Sequence, residues 1–264
     1  MARAFTKNTA NYMSLGIGAL APLLNSAAAI SISALINGTS YSTGANDNGI
    51  VTALISSNII GLQLNISSNP SKVRCGGRST SSDGLQTSNG ATTITTGAHH
   101  VGGVLNVSGD TIMTYLDGAQ DSSTAVTFAN TTWTNEIPSD DDSIGTRGAT
   151  PPVATSSQFD GSIAELAIWI AAIGTPNFAA LAKGVSPRVI LPTALVAYWP
   201  LIGYASPEID LFGGKNGTIT GTVAKAVHPR VIYPDPRIFL RAAAAAAGDA
   251  VPQVWGQYRR RFAG

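Results

Sequence analysis

Residues 99–118 read HHVGGVLNVSGDTIMTYLDG. Two apolar runs flank Gly109-Asp110, and the second closes on Asp117-Gly118. Gly and Asp tolerate the positive φ that tight hairpin turns demand, so this pattern predicts a β-hairpin. An isolated hairpin is marginal in water and needs further strands to cover its apolar face. The sequence offers them at AISISALING (29–38), IVTALIS (50–56), IIGLQLNIS (59–67), SKVRCGGR (71–78) and ATTITTG (91–97), joined by Asn, Gly, Ser and Pro. After a polar loop, PSDDDSIGTRGATPPVATSS (138–157), come FDGSIAELAIWIA (159–171) and ALVAYWPLIG (194–203). One short helix is expected at PNFAALAKG (176–184): Pro176 suits its start, Phe178, Leu181 and Ala182 give it an apolar face, and Gly184 suits its stop. Short strands with so little helix predict a sandwich or barrel, and 264 residues suffice for one large all-β domain.

Charged residues make up 12% of the chain against about 25% in an average soluble domain, while apolar residues reach 44%. The second figure excludes a disordered chain. The first leaves much of the surface small and neutral, which is easily buried against neighbours and favours an assembly component. The single cysteine, Cys75, has no partner for an internal disulfide and reads as a buried thiol. The apolar stretch SLGIGALAPLLNSAAAISISALI (14–36) follows Arg3 and Lys7 as a leader peptide's core would. Pro22, Asn25 and several serines break it, so it makes a poor membrane span and is read as part of the fold.

Chemistry-bearing residues are sparse. Successive side chains on a strand face opposite sides, so His99 and His100 cannot share a metal ion without a bulge, and the only other histidine is His228. One imidazole is expected at the sheet margin in a hydrogen bond and the other on the outer face. Asp140, Asp141 and Asp142 are read as a solvated acidic loop, because calcium loops alternate their ligands rather than stack them. Glu136, Glu165 and Glu208 stand apart from one another, without the paired carboxylates of a glycosidase. No nucleophile elbow, P-loop or dinucleotide fingerprint appears. The expectation is a protein that is not an enzyme and has no cofactor. Trp169 and Trp199, within apolar runs, are read as core; Trp133 is the best candidate for an exposed aromatic platform.

Composition shifts near residue 225. Residues 225–264 hold Lys225, Arg230, Arg237, Arg241, Arg259, Arg260 and Arg261 against Asp235 and Asp249, although the whole chain is only +1. With four prolines and a six-alanine run, this segment cannot build a core and reads as an extended assembly arm. Arg and aromatic residues are enriched at interface hot spots. The expected contacts are Arg230, Val231, Ile232, Tyr233, Arg237, Ile238, Phe239, Leu240, Trp255, Tyr258, Arg259, Arg260 and Arg261. One cluster of three arginines on a nearly neutral chain is thin support for nucleic-acid binding.

GAHHVGGVLNVSGDTIMTYLDG resembles the signature hairpin of laminin G-like, concanavalin A-type jelly-roll domains, in which a WHHVA strand leads to an LYVDG strand; Ala98 stands where that family has an aromatic residue. AFTKNTANYMSLG, SISALING, SIGTRG with FDGSIAELAIW, NFAALAKG, LVAYWPLIG and NGTITG resemble that family's other segments in order, over about residues 4–224. The resemblance implies an antiparallel jelly-roll sandwich over residues 1–224 with one short helix, followed by the arm at 225–264. It also leaves a calcium ion at the sandwich rim as an alternative to no metal. Jelly rolls with few charges and an Arg/Pro-rich arm look like bacteriophage virion proteins. The expected function is therefore a structural component of the virion, a capsid decoration or cement protein or a related head or tail appendage, working as a homo-oligomer against capsid or tail subunits, away from membranes. The alternative is a carbohydrate-binding receptor-recognition module of a tail fibre, with a surface glycan as partner.

Overall fold

A computed structural model describes residues 2–7, 10–41, 47–56, 59–68, 70–134, 140–147, 157–203 and 206–232. Its main unit runs through Val231. Among the described residues fifteen strands fall into two antiparallel sheets. Sheet A holds β1 (Ala2–Phe5), β3 (Ala29–Ser40), β8 (Gly97–Asn106), β9 (Thr111–Leu116), β10 (Ala119–Ala125), β12 (Asp160–Trp169), β13 (Leu195–Trp199) and β15 (Ala224–Ala226). Its order is β10-β9-β8-β3-β12-β1-β15, with β13 also on β12. Sheet B has the order β14-β2-β11-β4-β5-β6-β7: β2 (Tyr12–Ile17), β4 (Asn48–Ser56), β5 (Ile59–Ile66), β6 (Val73–Gly77), β7 (Gln86–Asn89), β11 (Asp141–Ile144) and β14 (Thr218–Thr220). The described elements also include a one-turn helix, α1 (Ala21–Leu24), α2 (Thr175–Ala182) and a 3-10 turn at Pro187–Val189. Among the described residues no helix is long and apolar enough to cross a membrane; the apolar stretch at 14–36 becomes β2, α1 and the buried half of β3.

The hairpin forms as expected. β8 and β9 pair from Asn106–Thr111 to Val101–Leu116. Asp117 and Gly118 both take positive φ, +48° and +84°, the backbone that a two-residue turn into β10 requires. The Asp side chains also accept amides: Asp117 Oδ1 from His100 N (2.9 Å) and Asp110 Oδ1 from Phe128 N (3.0 Å). Gly102 and Gly103 meet opposite faces. A Cβ on Gly102 would collide with the Phe178 ring, and one on Gly103 with Cys75. The Gly-Gly pair thus lets α2 approach one face of sheet A and sheet B approach the other.

Sheet A is consequently buried on both sides. Toward sheet B lies the main core, including Ile30, Ile32, Val101, Leu105, Ile168 and Trp199. On its outer face α2 and the chain that follows cover a second apolar cluster of Val104, Tyr115, Trp169, Phe178, Leu181 and Tyr198. Tyr115 stacks on Phe178 at 3.8 Å. His100, on this outer face, is 3% exposed and its Nε2 lies 2.9 Å from Ser33 Oγ. Burial pushes its pKa down to about 4.

Three expectations are corrected. Of the run at 91–97 only Gly97 is in a strand, as the start of β8; residues 91–96 form a loop that Ile94 anchors through its amide on Ser71 O (2.8 Å), and the sheet uses Gln86–Asn89 instead. The acidic triplet is not a solvated loop. Asp141–Ile144 is β11, and the fully buried Asp142 accepts Leu54 N on Oδ1 and Leu20 N on Oδ2, each at 2.7 Å, tying α1 to sheet B. Burial outweighs these amides and holds its pKa up at about 7. Trp133 is fully buried, with its ring nitrogen donating to Gly61 O at 3.3 Å, so it is no platform for a sugar.

Two stability predictions follow from the buried polar groups. Asp142→Ala strands two amides in the core and is expected to cost about 3 kcal/mol in urea unfolding, with Asp142→Asn costing roughly half as much. His100 charges in the unfolded chain below about 6.5 but in the fold only near 4, so its contribution weakens as pH falls through that window. The stability deficit of His100→Gln relative to the parent should therefore shrink by roughly 2 kcal/mol between pH 7 and pH 5. An equal deficit at both pH values would contradict the assignment.

Candidate functional site

Strand alternation gives sheet B an outer face unlike that of sheet A. On β5, Leu62, Leu64 and Ile66 enter the core while Gln63 and Asn65 face away from it. The register then lines up Thr218, Ser14, Ser143, Thr52, Gln63, Gly76 and Thr87 as successive partners across all seven strands. A second row, Asn65, Arg74 and Asn89, lies beside it. Hydroxyl, amide and guanidinium groups from the whole sheet thus share one face, whose central members Thr52, Gln63, Asn65 and Ser143 are buried.

Charged groups fix this surface in place. Asp47, 1% exposed, accepts Arg74 Nη1 at 2.6 Å and pairs with Arg147 Nη1 at 3.3 Å. Arg74 Nε donates to Asn89 Oδ1 (2.6 Å) and Arg147 Nε to Gln63 Oε1 (2.9 Å). Thr146 O accepts Thr52 Oγ1 at 3.3 Å, so residues 146–147 lie over the middle of the row. Gly49 has no Cβ to block them. Several buried atoms here are left without a hydrogen-bond partner: Gln63 Nε2, both ends of the Asn65 amide, Ser143 Oγ and Thr146 Oγ1. An unsatisfied buried polar group costs roughly 1–3 kcal/mol, so this cluster calls for partners from outside the sandwich, water or ligand.

The histidines separate as the alternation requires. His99 Nδ1 lies 2.9 Å from Asp117 Oδ2 and its Nε2 lies 3.3 Å from Thr95 Oγ1, at the sheet margin. Among the described residues no three His, Cys, Asp or Glu side chains gather as a metal site. The rim carboxylates are engaged elsewhere: both Asp142 oxygens hold amides, and Asp141 Oδ2 accepts Ser14 Oγ at 2.5 Å. Trp169 and Trp199 are core side chains whose ring nitrogens donate to Ile190 O and Lys215 O, each at 2.7 Å.

Of the residues assigned to the arm, the first ones belong to the sandwich. β15 pairs Ala224–Ala226 with β1, so a boundary at 224 cuts through a strand. Beyond it, His228 Nε2 lies 3.2 Å from the buried Glu165 Oε1 and 3.0 Å from Pro200 O, while Nδ1 faces Pro229 O at 2.7 Å. The partners of both ring nitrogens are oxygens, which favours the doubly protonated form, and the hydrogen bond to Glu165 raises its pKa. Glu165 Oε2 also accepts Tyr198 Oη at 2.7 Å. Glu165 sits at φ +53°, in the bulge where β12 passes from pairing with β1 to pairing with β13. Val231 lies with Leu181, Val185 and Pro187, whereas Arg230 and Ile232 are exposed. Tyr233, Arg237, Ile238, Phe239, Leu240, Trp255, Tyr258, Arg259, Arg260 and Arg261 lie outside the described residues.

The architecture has known counterparts. A proposed carbohydrate-binding protein from Bacteroides ovatus superposes with a TM-score of 0.63 at 18% identity, over 88% of this chain and 61% of that one. This chain therefore spans about three fifths of that protein's length. The CBM40 of the Ruminococcus gnavus IT-sialidase, in its structure bound to α2,6-sialyllactose, matches with a TM-score of 0.53 at 13% identity, over 69% of this chain and 97% of that one. At such identities the likeness is one of fold. No curated protein matches the sequence significantly. The model of a laminin G-type family, described as the concanavalin A-like lectin/glucanases superfamily, matches residues 8–176, well over half of the chain, and the chain belongs to that family.

Proposed function

We propose that this chain is a non-enzymatic glycan-binding module whose recognition surface is the outer face of sheet B. The observation that carries the reading is the polar row crossing all seven strands, with the unpartnered atoms of Gln63, Asn65, Ser143 and Thr146 at its centre. Sugar hydroxyls donate and accept in close succession, and amides and hydroxyls held on rigid strands answer both needs. Membership of the lectin/glucanase superfamily and the fold likeness to two carbohydrate-binding proteins support this reading. Among the described residues two carboxylates are bound into this surface and both are engaged within it, Asp47 by two arginines and Asp141 by the Ser14 hydroxyl, which supports a binding rather than a hydrolytic reading.

Replacing an unpartnered amide by an apolar side chain of similar size should abolish recognition without harming the fold. Asn65→Leu is expected to lose glycan-array binding at least tenfold while its unfolding free energy stays level or rises by about 1 kcal/mol. Gln63→Leu should lose binding too. Unchanged array profiles for both variants would overturn the reading.

A second reading, favoured by the arm's sequence, places the module on a bacteriophage particle as a capsid decoration or a head or tail appendage. Its support is the concentration of Arg and large apolar side chains after residue 232, including Phe239, Leu240, Trp255 and the arginines at 259–261. Because β15 and His228 belong to the sandwich, the informative truncation ends at Ile232 rather than at 224. The shortened chain is expected to keep the parent's melting temperature but to be missing from purified particles. Incorporation at the parent's level would rule the particle role of the arm out.

A further inference from the structure

A cavity lies on the other sheet's outer face. On the outer face of sheet A, between the end of α2 and residues 227–229, a groove of about 350 Å³ opens above β3, β8 and β12. This volume is at the lower end of the roughly 300–1,000 Å³ usual for small-molecule sites. Its floor and walls are small and apolar: Leu35, Ala98, Ala164, Ala182, Val227 and Pro229. Its polar lining residues are Asn37, Ser162 and His100, with Asp117 and His99 at the sheet margin.

Two observations point to a ligand. His100 is 97% buried, yet its Nδ1 has no hydrogen-bond partner, while its Nε2 is engaged by Ser33. The neighbouring His99–Asp117 pair is already fixed at 2.9 Å, with Asp117 Oδ1 on the His100 amide, so the polar side of the groove is preorganised. No Lys or Arg lines the groove and a carboxylate does, which disfavours an anion. A small apolar lining edged by amide, hydroxyl, imidazole and carboxylate residues suits a compact neutral polyol, with C–H faces on the alanines and hydroxyls toward the edge.

We infer that this groove is a second ligand site, distinct from the sheet B surface, that takes a single neutral sugar unit with a hydroxyl on His100 Nδ1. The site needs nothing from sheet B and stands whether or not that surface binds glycans.

The test uses the full-length chain labelled with ¹⁵N and titrated separately with glucose, galactose, mannose and N-acetylglucosamine. Saturable shifts of the His100 ring nitrogen and the Asn37 side-chain amide are expected with at least one of the four. Ala182→Trp, which fills the groove from its wall, should abolish them. Asn37→Ala, at an exposed side chain, should weaken binding about tenfold, the effect of one lost hydrogen bond. Asn65→Leu, on the far sheet, should leave the titration unchanged. Absence of shifts at His100 and Asn37 with all four sugars, shifts confined to Gln63 and Arg74, or unaltered binding in both groove variants would overturn the inference.

Discussion

The fold depends on sheet A being buried on both faces. A strand presents alternate side chains to its two sides, so a sheet covered on one side needs only every second residue apolar. Sheet A meets sheet B on one side and α2 on the other, and β8 and β12 accordingly run almost without an exposed position. Space for this double contact comes from Gly102 and Gly103, where Phe178 and Cys75 each occupy the place a side chain would take. Covering the second face also encloses polar groups. His100 is held neutral, and Glu165 is balanced by Tyr198 and by His228 from the C-terminal segment.

Sheet B is covered by apolar packing on one face only; the centre of its other face is polar and buried beneath residues 146–147. That face is polar along every strand, and its central amides are not satisfied from within. Such a surface costs stability unless something else supplies the missing bonds, and stability lost at a recognition surface is a common trade. The Asp47–Arg74–Arg147 cluster holds Gln63 and Asn89 in fixed orientation, which lowers the ordering cost of binding.

How much of this was legible in the sequence depended on the range of the interactions involved. The 99–118 hairpin, α2 and the strands near 29–38 and 159–171 were readable because turn residues, caps and periodicity act locally. The Thr-rich run at 91–96 has strand propensity but lies as a loop, its Ile94 amide on Ser71 O, an override of propensity by tertiary context. β11 was hidden because three aspartates look solvated until two distant amides, from Leu20 and Leu54, converge on Asp142. Trp133 sits in a polar stretch, and its burial follows from the close approach of Gly61, 72 residues away. β15 was masked by the prolines and basic residues that follow it. The polar row was beyond sequence reading altogether: Ser14, Thr52, Gln63, Ser143 and Thr218 become neighbours only through register.

The central claim is that recognition belongs to the outer face of sheet B. A crystal structure of the full chain with the best glycan from the array tests it most directly. The account predicts sugar hydroxyls within hydrogen-bond distance of Gln63 Nε2 and the Asn65 amide, with residues 146–147 displaced or in contact. A glycan bound elsewhere, with those atoms still unpartnered, would contradict it.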